Sequence, residues 1–338
     1  MKKNNPNPPA RHHFVPRCYL TKFMDGDHLF ILDLLNVLNG LKERPKESHP
    51  NKICLDENFY KIKSEHQHTN FKLEEYDGLY VESTVLHEVE NKYNNAFERL
   101  ISGGALPMET AVYFSDFMIQ MKIRNPYWLN NVIAKNKDKW IDDCIQQLIL
   151  EDKGKIDSIF NRLPEEWQKF AVELVRSEQK GNKTFEKQMQ LFGLIQRSGG
   201  DNERNEKYRD VIVNSKWQLW IAPENGPFFI TSDNPGFARD IFGQTYNSYF
   251  TGESVFYIPM APQYCLVIDG INRDNSYKDQ RAEKEVQTLT VTAVQVISLN
   301  NYVYKNINKL LIGYDKVYLS QIVELNPKPL NKTGKLKI

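Results

Sequence analysis

The spacing of apolar residues changes along this chain, and that change restricts the fold more than any single motif does. Val81, Val85, Val89, Tyr93, Phe97 and Ile101 recur every four residues, so 76–101 predicts a helix with one apolar stripe. Gly103-Gly104 predicts its end, and Pro107 predicts the start of the next helix at an N1-like position. In that helix Phe114, Phe117, Met118 and Met121 keep the i, i+3, i+4, i+7 spacing, and Pro126 predicts a bend or stop. Helices are expected over 128–198, with breaks near Gly154, Pro164 and Gly181. Beyond about residue 210 the period shortens. Trp217–Ile221 alternates, and Phe228–Thr231 reads as its hairpin partner across the Pro223–Pro227 turn. Ser254–Pro259 and Tyr264–Asp269 read as a second pair around Ala261-Pro262. Residues 279–312 read as mainly helical, although Thr288–Thr292 is rich in β-branched residues, and Val317–Val323 reads as a last strand.

The N-terminal part adds smaller elements. Residues 12–23 predict a short helix that buries Leu20 and Phe23, and 28–35 predicts a strand. Residues 46–61 read as a loop leading to a short strand at Phe59–Ile62. The sum is an α+β fold, a helical central region packed against a small, mainly antiparallel sheet. One domain over 11–325 is expected, helix-rich over 76–200 and sheet-containing over 210–325, with Ser198–Asn205 between its halves. Residues 1–10 and 326–338 are expected to be flexible ends.

Composition excludes several classes. With 12% aromatic and 41% hydrophobic residues, the chain can bury enough apolar surface to offset its conformational entropy. The 44 basic and 43 acidic residues leave a net charge of +1, too balanced for a protein that grips nucleic acid along its backbone. No apolar run is long enough to span a membrane. The first residues lack the apolar core of a secretory signal, and Cys18, Cys54, Cys144 and Cys265 are scattered without a CxxC pair. These features predict a cytoplasmic protein with reduced thiols.

The candidate chemistry lies in separated polar blocks. His12 and His13 precede Pro16, which stiffens the chain; a histidine serves as general acid or base, or as a metal ligand. The plainer reading is a half-exposed pair near a loose terminus. Gln120 and Arg124 share a helix face at i and i+4, where an arginine can clamp a phosphate or carboxylate. Equally, Arg124 can be a structural partner of Glu82 or Glu90 on the preceding helix. Those glutamates, eight residues apart, share a face only loosely; a carboxylate there can act as base, bind a cation or orient a histidine. The run Phe229-Ile230-Thr231-Ser232-Asp233-Asn234-Pro235 delivers polar groups from a strand end, and its plainer reading is an Asx-turn. His66 and His68 lie in a polar stretch, and no phosphate-binding loop, dinucleotide fingerprint, HExxH or EF-hand loop occurs.

Together these blocks resemble a bacterial family catalogued as domain of unknown function 4238. The resemblance rests on His12-His13-Phe-Val-Pro16-Arg-Cys-Tyr19-Leu20-Thr-Lys-Phe23, on Phe59-Tyr60, on Glu82 and Glu90, and on Gln120-x-x-x-Arg124-x-Pro126. It extends through the Ser232-Asp233-Asn234-Pro235 block, Pro259 and Pro262, and Asn300, covering roughly 11–315, while 130–205 carries extra helical sequence. The resemblance implies no established activity. It does imply that far-separated polar residues matter, and the expectation is that they converge on one pocket.

On that expectation the chain is a hydrolase or phosphodiesterase acting on a nucleotide or nucleic acid. His12 or His13 is the acid/base, Asp233 orients the histidine or holds a divalent cation (Mg or Mn), and Glu90 is a second carboxylate. Arg124 stabilises phosphoryl charge, while Gln120, Ser232, Asn234 and Asn300 position substrate. Such phosphodiesterases often serve phage defence, which supplies a possible setting. The charge balance favours a small, pocket-bound substrate, with Arg124 and the local basic run Arg11, Arg17 and Lys22 meeting its phosphate. The alternative is a non-enzymatic binding or sensor module, in which the same residues form a buried network between the helical half and the sheet.

Overall fold

The computed structural model describes residues 11–38, 43–62, 75–139, 183–198, 203–247 and 252–326. The expectations placed on residues 1–10, His66 and His68, Gly154, Pro164, Gly181 and the tail beyond 326 lie outside these. A seven-stranded sheet dominates. Its strands run in the order Gly104–Pro107, Glu283–Thr290, Ser215–Ile221, Tyr264–Arg273, Ser254–Ala261, Phe237–Asp240 and Thr245–Tyr246. All neighbours are antiparallel except Glu283–Thr290 against Ser215–Ile221. A four-stranded sheet joins Lys46–Ser48, Leu29–Asp33, Leu310–Gly313 and Thr231–Ser232, and Arg11–His13 pairs with Leu55–Glu57.

Successive strand residues point to opposite faces, and both faces of the large sheet are covered. Trp217, Leu219, Leu266 and Ile268 pack with Phe114, Phe117, Met118 and Met121 of the Met108–Ile123 helix. Cys265 and Val267 face the other way, with Val296, Leu299 and Val303 of the Ala293–Lys305 helix. The α+β class therefore holds, with a larger sheet than expected.

Among the described residues, the first two long helices follow their sequence closely. Tyr93, Ala96, Phe97 and Leu100 are the buried face of His87–Ile101, which Gly103 and Gly104 end with φ of +75° and +86°. Pro107 is the N-cap of the next helix rather than its first residue, and Arg124 is that helix's C-cap, two residues ahead of Pro126. Val81–Leu86, ahead of the first helix, is a π-helical turn.

Four expectations are corrected. Residues 58–60 form a turn, and the strand lies earlier, at Leu55–Glu57. Phe228–Thr231 does not pair with Trp217–Ile221; Thr231–Ser232 instead pairs with Leu310–Gly313 in the other sheet. Glu283–Thr290 is a strand, and its inward positions are Lys284 and Val286, so a buried lysine hides the alternation. Lys316–Leu325 is a helix: Asp315 caps it by accepting the Tyr318 N–H at 2.6 Å, and Leu319 and Ile322 are its buried pair.

Candidate functional site

Arg124 ends the Met108–Ile123 helix and is 2% exposed. Its Nη1 donates to Glu90 Oε1 at 2.7 Å, and its Nη2 donates to the backbone carbonyl of His13. The guanidinium carbon lies 5.7 Å from the centre of the Tyr60 ring, and the Tyr60 hydroxyl donates to the Arg124 carbonyl at 2.8 Å. Nε has no hydrogen-bond partner among the described residues. Burial opposes this charge, but Glu90, Tyr60 and Glu82 outweigh it and hold Arg124 firmly protonated.

Glu90 bonds Arg124, and the π turn turns Glu82 toward the same charge. In an unbroken α-helix eight residues would leave them about 80° apart around the axis. The wider i→i+5 turn winds the chain more slowly per residue and closes much of that gap. Glu82 is half-buried, and its Oε2 has no hydrogen-bond partner among the described residues. Desolvation raises its pKa from 4.5 to about 7, with Arg124 opposing and Glu90 reinforcing the shift. A carboxyl that exchanges its proton near neutrality is suited to acid–base work.

The histidines divide as adjacent strand residues should. His12 is fully buried, stacks on Tyr60 with ring centres 5.7 Å apart, and accepts the Tyr60 N–H at Nδ1 over 2.8 Å. A neutral imidazole that accepts at Nδ1 carries its proton on Nε2. His13 is half-buried, and its Nε2 lies 3.1 Å from the Pro50 carbonyl, an acceptor only, so Nε2 is the donor. Burial lowers the His13 pKa, the Pro50 contact opposes this, and the nearby Arg124 charge adds to it. Cys18 borders the same edge; burial pushes its thiol up to about 12, so it is not a thiolate nucleophile.

The Ser-Asp-Asn block lies behind this edge. Asn125 joins the two: its Nδ2 donates to the Asp233 carbonyl at 2.6 Å. The Asp233 side chain, 2% exposed, accepts the Asn308 N–H at 3.0 Å. Desolvation raises its pKa to about 6, against backbone N–H groups of residues 308–310 that stabilise the anion. Its bonds are those of a loop cap, and they do not orient a histidine. Ser232 Oγ accepts the Asn234 N–H at 3.1 Å, the local turn chemistry of such residues. Asn300 is fully enclosed: its Oδ1 accepts from Ile230 N, and its Nδ2 donates to the Phe228 carbonyl and the Tyr318 hydroxyl. It ties the Phe228–Ile230 segment to the Ala293–Lys305 and Lys316–Leu325 helices. Gln120 is 4% exposed, with an Oε1 that lacks a partner among the described residues.

Sequence reasoning missed Lys122. It is fully enclosed and donates to Asn234 Oδ1 at 3.1 Å and to the Gly236 carbonyl at 2.5 Å. Desolvation alone lowers its pKa to about 7. The signal was present: Phe117 to Ile123 reads apolar except at Gln120 and Lys122, the mark of a helix buried all round.

Cys18, Cys54 and Cys265 are free thiols. Among the described residues no three His, Cys, Asp or Glu side chains are placed to hold a metal ion. Among those residues, too, no helix is long and apolar enough to cross a membrane.

Fold and site together define an α+β protein in which blocks from both ends of the chain meet around the end of one buried helix. The chain belongs to the family described as "Protein of unknown function (DUF4238)", which matches residues 11–316. No curated protein and no solved structure matches it.

Proposed function

We propose that the chain is a cytoplasmic hydrolase acting on a phosphate-containing substrate, a nucleotide or short nucleic acid, with Glu82 as its acid and Arg124 as its anion-stabilising group. The observation that supports this is the half-buried Glu82 carboxyl beside the buried Arg124 guanidinium, on an edge shared with the part-exposed Glu90 and His13. In the reaction, water forms the new bond to phosphorus and the leaving oxygen takes a proton from Glu82 as its bond breaks. His13, neutral and with its Nδ1 lone pair uncommitted to Pro50, takes the proton from the water. Arg124 meets the charge that develops on the phosphoryl oxygens.

The test is turnover by the purified protein against DNA, RNA and nucleotides, with and without magnesium or manganese. Glu82→Gln should cost at least about a hundredfold in rate, the usual scale for acid–base catalysis, and leave the fold intact. A silent panel, or full activity in Glu82→Gln, would overturn the proposal.

One observation favours the non-enzymatic reading, in which the polar set is a network inside a binding or sensor module. Arg124, Asp233, Asn234 and Asn300 are each 2% exposed or less and bonded within the protein. On that reading Arg124→Ala costs about 3–5 kcal/mol of stability by stranding a buried partner, and no substrate is turned over.

A further inference from the structure

We propose that Glu90 is a displaceable counter-ion, and that an oxygen of a ligand phosphate binds Arg124 Nη1 by taking the position of Glu90 Oε1. The inference rests on the reading of this edge as phosphate-handling, but it concerns binding alone.

The two partners of Arg124 differ in how firmly they are held. The His13 carbonyl belongs to a strand whose backbone is paired with Leu55–Glu57 and cannot leave without breaking that pairing. Glu90 is a side chain in the first turn of its helix, 26% exposed against 3% for Arg124, and 2.7 Å from Nη1. Water therefore reaches the carboxylate and not the guanidinium. Of the two partners, Glu90 is the one whose side chain can rotate away and uncover Arg124 Nη1.

The exchange avoids one large cost. Most of the cost of a buried ion pair is the stripping of water from the charges, and Arg124 has been stripped already in the folded chain. Replacing one anion by another leaves that cost unchanged, whereas leaving the arginine alone would not. Glu82, whose charge is coupled to the same guanidinium, supplies a complement: burial raises its pKa to about 7, so its carboxyl can donate to a second phosphate oxygen. Release of Glu90 also removes the neighbouring negative charge that an incoming phosphate would otherwise meet.

The experiment titrates inorganic phosphate onto the wild type, Glu90→Gln and Glu90→Ala, read by calorimetry and by thermal melting, with chloride at matched ionic strength as control. Glu90→Gln keeps the shape and removes the charge; it should bind phosphate about tenfold tighter than the wild type. Glu90→Ala should melt lower, and phosphate, unlike chloride, should restore its midpoint. Adding Arg124→Gln to Glu90→Gln should abolish the gain. Equal phosphate affinity in wild type and Glu90→Gln, or a gain that survives loss of Arg124, would overturn the proposal. Should Glu90→Ala not fold, Glu90→Gln carries the test alone. The hydrolase reading fails separately, on turnover by Glu82→Gln, which phosphate affinity does not report.

Discussion

Glu82→Gln turns the Glu82 environment into a measurable pH dependence. The folded carboxyl titrates near 7 and the unfolded one near 4.5, a gap of about 2.5 units, or about 3 kcal/mol at 1.36 kcal/mol per unit. The folded pKa is the higher one, so the folded state binds the proton more tightly. The stability this contributes is complete below pH 4.5 and is lost as pH rises through 7, when an ionised carboxylate must stay part-buried. Glutamine has the same shape and does not titrate. Urea unfolding of both proteins from pH 5 to pH 9 should show the variant gaining on the wild type as pH rises, by about 3 kcal/mol in all. The whole gain should fall below about pH 8, with none beyond. A flat difference across that range, within about 1 kcal/mol, would refute the desolvation argument and remove the basis for Glu82 as an acid.

Lys122 gives the opposite sign. Its folded pKa is lowered from 10.5 to about 7, so wild-type stability should rise between those values relative to Lys122→Met, by about 2 kcal/mol from pH 7 to pH 9, in paired denaturation curves. Asn300→Ala strands the Ile230 N–H and the Phe228 carbonyl beside the Ala293–Lys305 helix; it should cost about 3 kcal/mol by urea unfolding and leave phosphate affinity unchanged. His12 should show a protonated Nε2 and a bare Nδ1 in nitrogen-15 spectra of the imidazole at pH 7.5; a protonated Nδ1 would contradict its bond from Tyr60 N–H.

The sequence made the helices of the first half legible because their stripes are uninterrupted: Val81 to Ile101 and Phe114 to Met121 keep one period. It misled where one polar residue sits on an inward face. Lys284 breaks the alternation of its strand, yet it is buried and donates to Asp274, to Ser276 Oγ at 3.1 Å and to the Ser215 carbonyl at 2.6 Å. Val317–Val323 reads as a strand unless Asp315 is placed as a helix cap, which its bond from the Tyr318 N–H makes it. Within the site, Arg124 with Glu90 was readable as a helix-to-helix pair. The convergence of Glu82 was not, since the π turn that rotates it inward has no simple residue signature. Asp233 and Ser232 have the turn roles that polar residues at strand ends commonly have, and Asn300, on the Ala293–Lys305 helix, bonds the Phe228–Ile230 segment.

Four consecutive residues at the end of the Met108–Ile123 helix hold separate parts of the chain. Lys122 binds Asn234 and Gly236, the Ile123 carbonyl accepts from Gln190, Arg124 binds Glu90, His13 and Tyr60, and Asn125 binds Asp233. Consecutive helical residues project about 100° apart, so one turn can address four directions. These contacts join residues 34 to 114 positions apart in the chain. Such contacts close long loops, so they form only when the segments have docked. The same topology means that no fragment ending before the Ser-Asp-Asn block carries the complete arrangement. Backbone amides such as those of Tyr60 and Asn308 should therefore exchange their hydrogens only through opening of the whole molecule.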